Sequence, residues 1–125
     1  MTSKLAGCCI LVVEDEPLVL VDIVSSLEDE GASVLTAHRV VDALRKCEAP
    51  GLTAAVLDHQ LSHSNSSAVC ERLTELGIPF VIYSGYSKLE GACSKGELIE
   101  KPASGHTLVV AILDAVSKQP RPSVN

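Results

Sequence analysis

Four short clusters in the 125-residue sequence carry groups able to do chemistry together: Glu14-Asp15-Glu16, Asp58, Ser84-Gly85 and Lys101-Pro102. Several carboxylates gathered in one crevice repel one another unless a cation offsets them. Oxygen-only ligands suit a hard divalent ion such as Mg²⁺, which takes one or two carboxylates and a phosphoryl oxygen. An Asp carboxylate can also act as nucleophile toward phosphorus, giving an aspartyl-phosphate. Phosphoryl transfer asks for positioning and charge stabilisation more than acid–base work. Lys101 would meet the equatorial oxygens, and Ser84 would donate a hydrogen bond to one of them. Each cluster also has a plainer explanation. Acids at a helix N-terminus complement its dipole and cap free N–H groups, which is the preferred reading of Glu16. A lone Asp after a strand is commonly a cap, Ser-Gly a turn, and Lys before Pro a solvated side chain. Position is what joins the four: each follows a segment that reads as a strand.

The apolar run CCILVV (Cys8 to Val13) has no period-two alternation, the mark of a parallel strand covered on both faces. Pro17 then suits a first helical turn, Leu20, Ile23, Val24 and Leu27 share one helix face, and Gly31 ends it. The unit repeats. Ser33 to Ala37 reads as a strand and Val40 to Glu48 as a helix; Thr53 to Leu57 is a third strand. Asn65 to Leu76 reads as a helix with Val69, Leu73 and Leu76 inward; Pro79 to Tyr83 is a fourth strand and Glu97 to Ile99 a fifth. Ser104 to Ser117 is a last helix, and QPRPSVN an expected disordered tail. Ser87 to Lys95, where another helix belongs, is short and poor in apolar residues, so that helix is expected to be short or irregular. Alternating strands and helices predict a doubly wound α/β fold around a five-stranded parallel sheet, whose chemistry gathers at the carboxyl ends of the strands.

Composition narrows the function classes. Hydrophobic residues make up 46% and charged residues 21%, enough to build one globular core, expected over residues 1–118 with the tail at 119–125. Aromatics are only 2% and the net charge is −6, which argues against stacked-ring platforms and against nucleic acid as a direct partner. Neither a membrane span nor a signal peptide is read. Five cysteines without C-x-x-C spacing read as free, mostly apolar residues, for which a reducing cytoplasm is the natural setting.

The segments ILVVEDEP, AAVLDHQL, PFVIYSGY and IEKP, in that order and at strand ends, resemble a response-regulator receiver domain (CheY-like) of two-component signalling. The resemblance covers Leu5 to about Ser117 and implies the flavodoxin-like sheet order 2-1-3-4-5. It implies that Glu14 and Asp15 hold Mg²⁺ together with Asp58 and the main-chain carbonyl of Gln60. Asp58 would be the phosphoacceptor, Ser84 the switch hydroxyl and Lys101 its charge partner. The side chains of Gln60 and Tyr86 would flank the phosphoryl group and modulate its lifetime. GIPFVIYSGY is similar to the receiver subgroup marked by PFxFATGY, often lone receivers served by HWE-type or related histidine kinases. Here Ser84 replaces the Thr and Tyr83 the Ala of that motif. Leu98 stands where receivers usually carry Tyr or Phe, which leaves the usual aromatic switch open, with Tyr86 as the candidate substitute.

The implied function is that of a single-domain response regulator. It would take a phosphoryl group from a sensor histidine kinase or a phosphotransfer protein, with no enzymatic activity beyond its own phosphorylation and dephosphorylation. The alternative is a pseudo-receiver, the same fold used as a phosphorylation-independent protein-binding module. A flavodoxin-like FMN protein would need a Ser/Thr/Gly-rich loop where this chain has Glu-Asp-Glu, and a haloacid-dehalogenase-type phosphatase a D-x-D that Glu14-x-Glu16 does not supply. LVVAILDAV in the last helix is apolar nearly all round. Its surplus face (Val109, Val110, Leu113) is either deeply packed or a surface for a partner or a homodimer.

Overall fold

The computed structural model describes residues 4–61, 64–85 and 91–118. In chain order the elements are β1 (Cys9–Val13), α1 (Pro17–Asp29), β2 (Ser33–Ala37), α2 (Val40–Lys46) and β3 (Leu52–Asp58). A small hairpin follows, β4 (Gln60–Leu61) with β5 (Ser64–Asn65), then α3 (Ser67–Glu75) and β6 (Phe80–Ser84). A 3₁₀ turn (Gly91–Lys95), β7 (Glu97–Glu100) and α4 (Gly105–Lys118) complete the described chain. Five parallel strands lie in the order β2-β1-β3-β6-β7, the doubly wound arrangement expected from the sequence.

Successive side chains of a strand go to opposite faces, and here both faces are covered, which explains the unbroken apolar runs. Ile10, Val12, Ala54, Val56 and Val81 pack with Ile23, Leu27, Leu108 and Ile112 of α1 and α4. Leu11, Val13, Ala55, Leu57 and Ile82 pack on the other side with Ala43, Val69 and Leu73 of α2 and α3. Pro17 opens α1 as expected, and Gly31 follows its end with φ of 91°, a conformation open to glycine without the Cβ penalty.

Several expectations need correction. Helix α3 starts at Ser67, not Asn65, because Ser64 and Asn65 pair with Leu61 and Gln60 in the hairpin. Leu76 lies beyond the end of that helix and is exposed, while Val69 and Leu73 are buried as expected. Between β6 and β7 the described residues form a 3₁₀ turn, in line with an irregular fourth helix; residues 86–90 lie outside the described ones. The tail at 119–125 lies outside them too. Of the surplus face on α4, Val109 is buried and Leu113 packs against the core, so only Val110 stands exposed. The physical reason is that α4 is wedged against α1 as well as the sheet, and two neighbours need a wider apolar arc than one.

The cysteines also differ from expectation. Cys70 of α3 and Cys93 of the 3₁₀ turn are joined in a disulfide, with Cα atoms 5.0 Å apart, while Cys8, Cys9 and Cys47 are free. Both bonded residues are buried on the face covered by α2 and α3, where the fold brings them together across 23 positions of sequence. No helix among the described residues is long and apolar enough to cross a membrane.

Candidate functional site

The site is the polar end of one face of the sheet. On β1, Ile10 and Val12 point toward α1 and α4, and the next residue in that line is Glu14. On β3 the line Ala54, Val56 ends in Asp58; on β6, Val81 is followed by Tyr83; past β7, Ile99 is followed by Lys101. The alternation that buries the apolar members of these lines therefore delivers an acid, an acid, a phenol and an ammonium to one place. Register does the rest, since Asp58 pairs directly with Tyr83.

Carboxylate oxygens of Glu14, Asp15 and Asp58 lie within 4.8 Å of one another. Glu14 is 1% exposed and Asp58 4%, so two of the three acids are out of bulk water. Lys101 Nζ is 3.0 Å from Asp58 Oδ1. The Tyr83 hydroxyl donates to Glu14 Oε1 at 2.7 Å, and the Asp15 main-chain N–H donates to Glu14 Oε2 at 2.9 Å. Lys101 Nζ also lies 5.0 Å from the centroid of the Tyr83 ring, within cation–π range. Burial, followed by the neighbouring Asp58 carboxylate, pushes the Glu14 carboxyl up to about 7, against the pull of the Tyr83 hydrogen bond. Burial and the adjacent Glu14 hold the Tyr83 phenol protonated, far above its ordinary range.

The backbone beneath is tied down. The Ser66 hydroxyl donates to the Asp58 carbonyl, the His59 N–H donates to the Tyr83 carbonyl at 3.2 Å, and the Lys101 N–H donates to the Ser84 carbonyl at 2.7 Å. The Lys101–Pro102 peptide is cis. Glu16 occupies the N-cap position of α1, as its plainer reading holds, but makes no side-chain cap bond.

Glu14, Asp15, Asp58 and Lys101 are thus brought together. Ser84 ends β6, is 2% exposed, and by alternation starts toward the face that carries Ile82. The Gln60 main chain lies in β4, two residues past Asp58, while its side chain and all of Tyr86 lie outside the described residues. Leu98, at the expected aromatic position, packs half-buried on the α2–α3 face. Two contributors escaped the sequence reading. Tyr83 looked like part of a strand, and only the cross-strand register reveals its reach to Glu14. Ser66 sits before a helix, where a hydroxyl usually caps; its partner is instead the carbonyl of Asp58.

The donor set fits a hard divalent ion: oxygen ligands only, crowded and largely buried, with a proton held in the cluster near neutrality when nothing else offsets the charge.

No family model and no curated protein matches the chain. Solved structures do. A response regulator receiver protein from Sinorhizobium medicae WSM419 superposes with a TM-score of 0.80 at 23% identity, covering 91% of this chain and 98% of that one. A CheY-like response regulator receiver domain protein from Methanospirillum hungatei JF-1 gives 0.80 at 25% identity, with 91% and 97% covered. The response regulator PhyR from Brucella abortus gives 0.75 at 25% identity over 92% of this chain and 50% of that one. The fold is that of CheY-like response-regulator receiver domains.

Proposed function

We propose that this chain is a response-regulator receiver whose phosphoacceptor is Asp58. The observation that carries the reading is the gathering of Glu14 and Asp15 around Asp58, with Lys101 Nζ 3.0 Å from Asp58 Oδ1. Asp58 would attack the phosphoryl group of a phosphohistidine on a sensor kinase or phosphotransfer protein. The O–P bond forms as the N–P bond breaks, and the imidazole leaves. Glu14, Asp15 and Asp58, with the main-chain carbonyl of Gln60, would hold Mg²⁺, which supplies charge neutralisation for the phosphoryl oxygens. Lys101 would keep an ammonium beside those oxygens once Asp58 becomes an acyl phosphate, and Ser84 would turn toward them from the end of β6. The new charge would bias the surface formed by Ser84, the segment after it, β7 and α4, and a partner protein would read that surface. Such a receiver would work in the cytoplasm, a reading that no longer draws on free cysteines, since Cys70 and Cys93 are joined. The motif GIPFVIYSGY supports placing its kinase among the HWE-type or related enzymes.

The test is incubation with Mg²⁺ and acetyl phosphate, followed by intact-mass measurement. Wild type is expected to gain one phosphoryl group, labile to hydroxylamine, and Asp58→Asn none. A wild type that never gains it would turn the reading to a pseudo-receiver that binds its partner without phosphate.

A further inference from the structure

We propose that Tyr83 is a positioning residue of the acidic site, its hydroxyl fixing Glu14 and its ring seating the Lys101 ammonium, so that divalent-cation binding depends on a side chain that never touches the cation. The inference rests on the reading of the cluster as a divalent-cation site.

Three observations carry it. The phenol oxygen is 2.7 Å from Glu14 Oε1, and the ring is 3% exposed, so the hydrogen bond is made without competition from bulk water. The second oxygen of Glu14 accepts from the Asp15 N–H at 2.9 Å, so the carboxylate is held at both ends and cannot rotate freely. The face of the same ring lies 5.0 Å from Lys101 Nζ, which also lies 3.0 Å from Asp58 Oδ1. One tyrosine therefore links the acid at the end of β1 to the cation that pairs with Asp58 at the end of β3. It can do so because Tyr83 lies opposite Asp58 in the sheet, and the extra methylene of Glu14 over an Asp brings its carboxylate within reach of the hydroxyl. Groups that orient a ligating side chain commonly set metal affinity as strongly as the ligands do.

The measurement is an amide-NMR titration with Mg²⁺ alone, on wild type, Tyr83→Phe, Glu14→Asp and the double variant. Tyr83→Phe keeps the ring and removes the hydroxyl, and is expected to weaken Mg²⁺ about tenfold or more. In the Glu14→Asp background, where the shorter acid falls away from the hydroxyl, Tyr83→Phe is expected to cost nothing further. Tyr83→Phe binding within about twofold of wild type would overturn the inference while leaving the cation site intact. A wild type that shows no Mg²⁺ response would overturn the site itself and the inference with it. A second readout needs no change at position 83. The chain has two tyrosines and no tryptophan, so in Tyr86→Phe the near-ultraviolet absorption of tyrosine comes from Tyr83 alone. Mg²⁺ is expected to shift that absorption along the same binding curve as the amide signals; an unchanged spectrum at saturation would refute the link.

Discussion

Glu14 makes the stability of this fold depend on pH in a direction that can be worked out beforehand. Its carboxyl is 1% exposed and is pushed from 4.5 to about 7, by burial first and by Asp58 second. Between those two values the folded chain keeps a proton that the unfolded chain has released. Stability therefore falls as pH rises through the window and levels off above it. Each unit of displacement is worth about 1.4 kcal/mol, so the full loss attributable to Glu14 is on the order of 3 kcal/mol. Glu14→Gln keeps a side-chain oxygen for the Tyr83 hydroxyl and removes the charge. Urea unfolding in EDTA, at pH values spanning about 5 to 8, isolates the effect as the difference between wild type and Glu14→Gln. The variant is expected to gain on wild type steadily as pH rises, and Mg²⁺ is expected to restore wild type at the upper end by favouring the ionised acid. A wild-type-minus-variant difference that stays constant across the range would refute the argument.

Further expectations follow from the packing around the site. Gly105 opens α4 against α1, where an added Cβ would run into the Ser26 hydroxyl and sit 2.8 Å from the Ser26 Cβ. Despite alanine's better helix propensity, Gly105→Ala should cost about 1–3 kcal/mol in chemical denaturation. Adding Ser26→Ala should recover only the hydroxyl's share. Reducing the Cys70–Cys93 disulfide frees a loop spanning 23 positions and should lower stability by about 3 kcal/mol, read as the shift in urea midpoint with and without reductant. The double variant Cys70→Ala/Cys93→Ala should make the protein indifferent to reductant. Ser66→Ala leaves the buried Asp58 carbonyl short of its hydroxyl donor and should cost about 1–3 kcal/mol, together with faster amide exchange around Asp58.

Much of the site was legible because two local signals coincide. The apolar runs mark strands covered on both faces, and the first polar residues after them mark the end where chemistry gathers. Glu14, Asp15, Asp58, Ser84 and Lys101 stand at those ends, and the structure brings the three acids and Lys101 together. What escaped depends on partners distant in sequence. The Tyr83–Glu14 bond spans 69 positions and exists only through the registers of β1 with β3 and of β3 with β6. The disulfide pairs two cysteines that look like ordinary apolar residues of separate segments. The apolar surplus of α4 could not be resolved without knowing that α1 lies beside it. Ser64 and Asn65 have the composition of a helix start, but the tight hairpin with Gln60 and Leu61 takes them first.

The proposed role of Asp58 requires that it accept a phosphoryl group and that the change reach the surface beyond Ser84. The decisive measurement is an amide-NMR titration of wild type and Asp58→Asn with Mg²⁺ and then beryllofluoride, a stable mimic of the acyl phosphate. Mg²⁺ is expected to shift Glu14, Asp15 and Asp58, and beryllofluoride then to give saturable changes spreading from Ser84 to Lys101 in wild type alone. A folded wild type that ignores beryllofluoride, or an Asp58→Asn chain that responds in the same way, would rule out Asp58 as the phosphoacceptor.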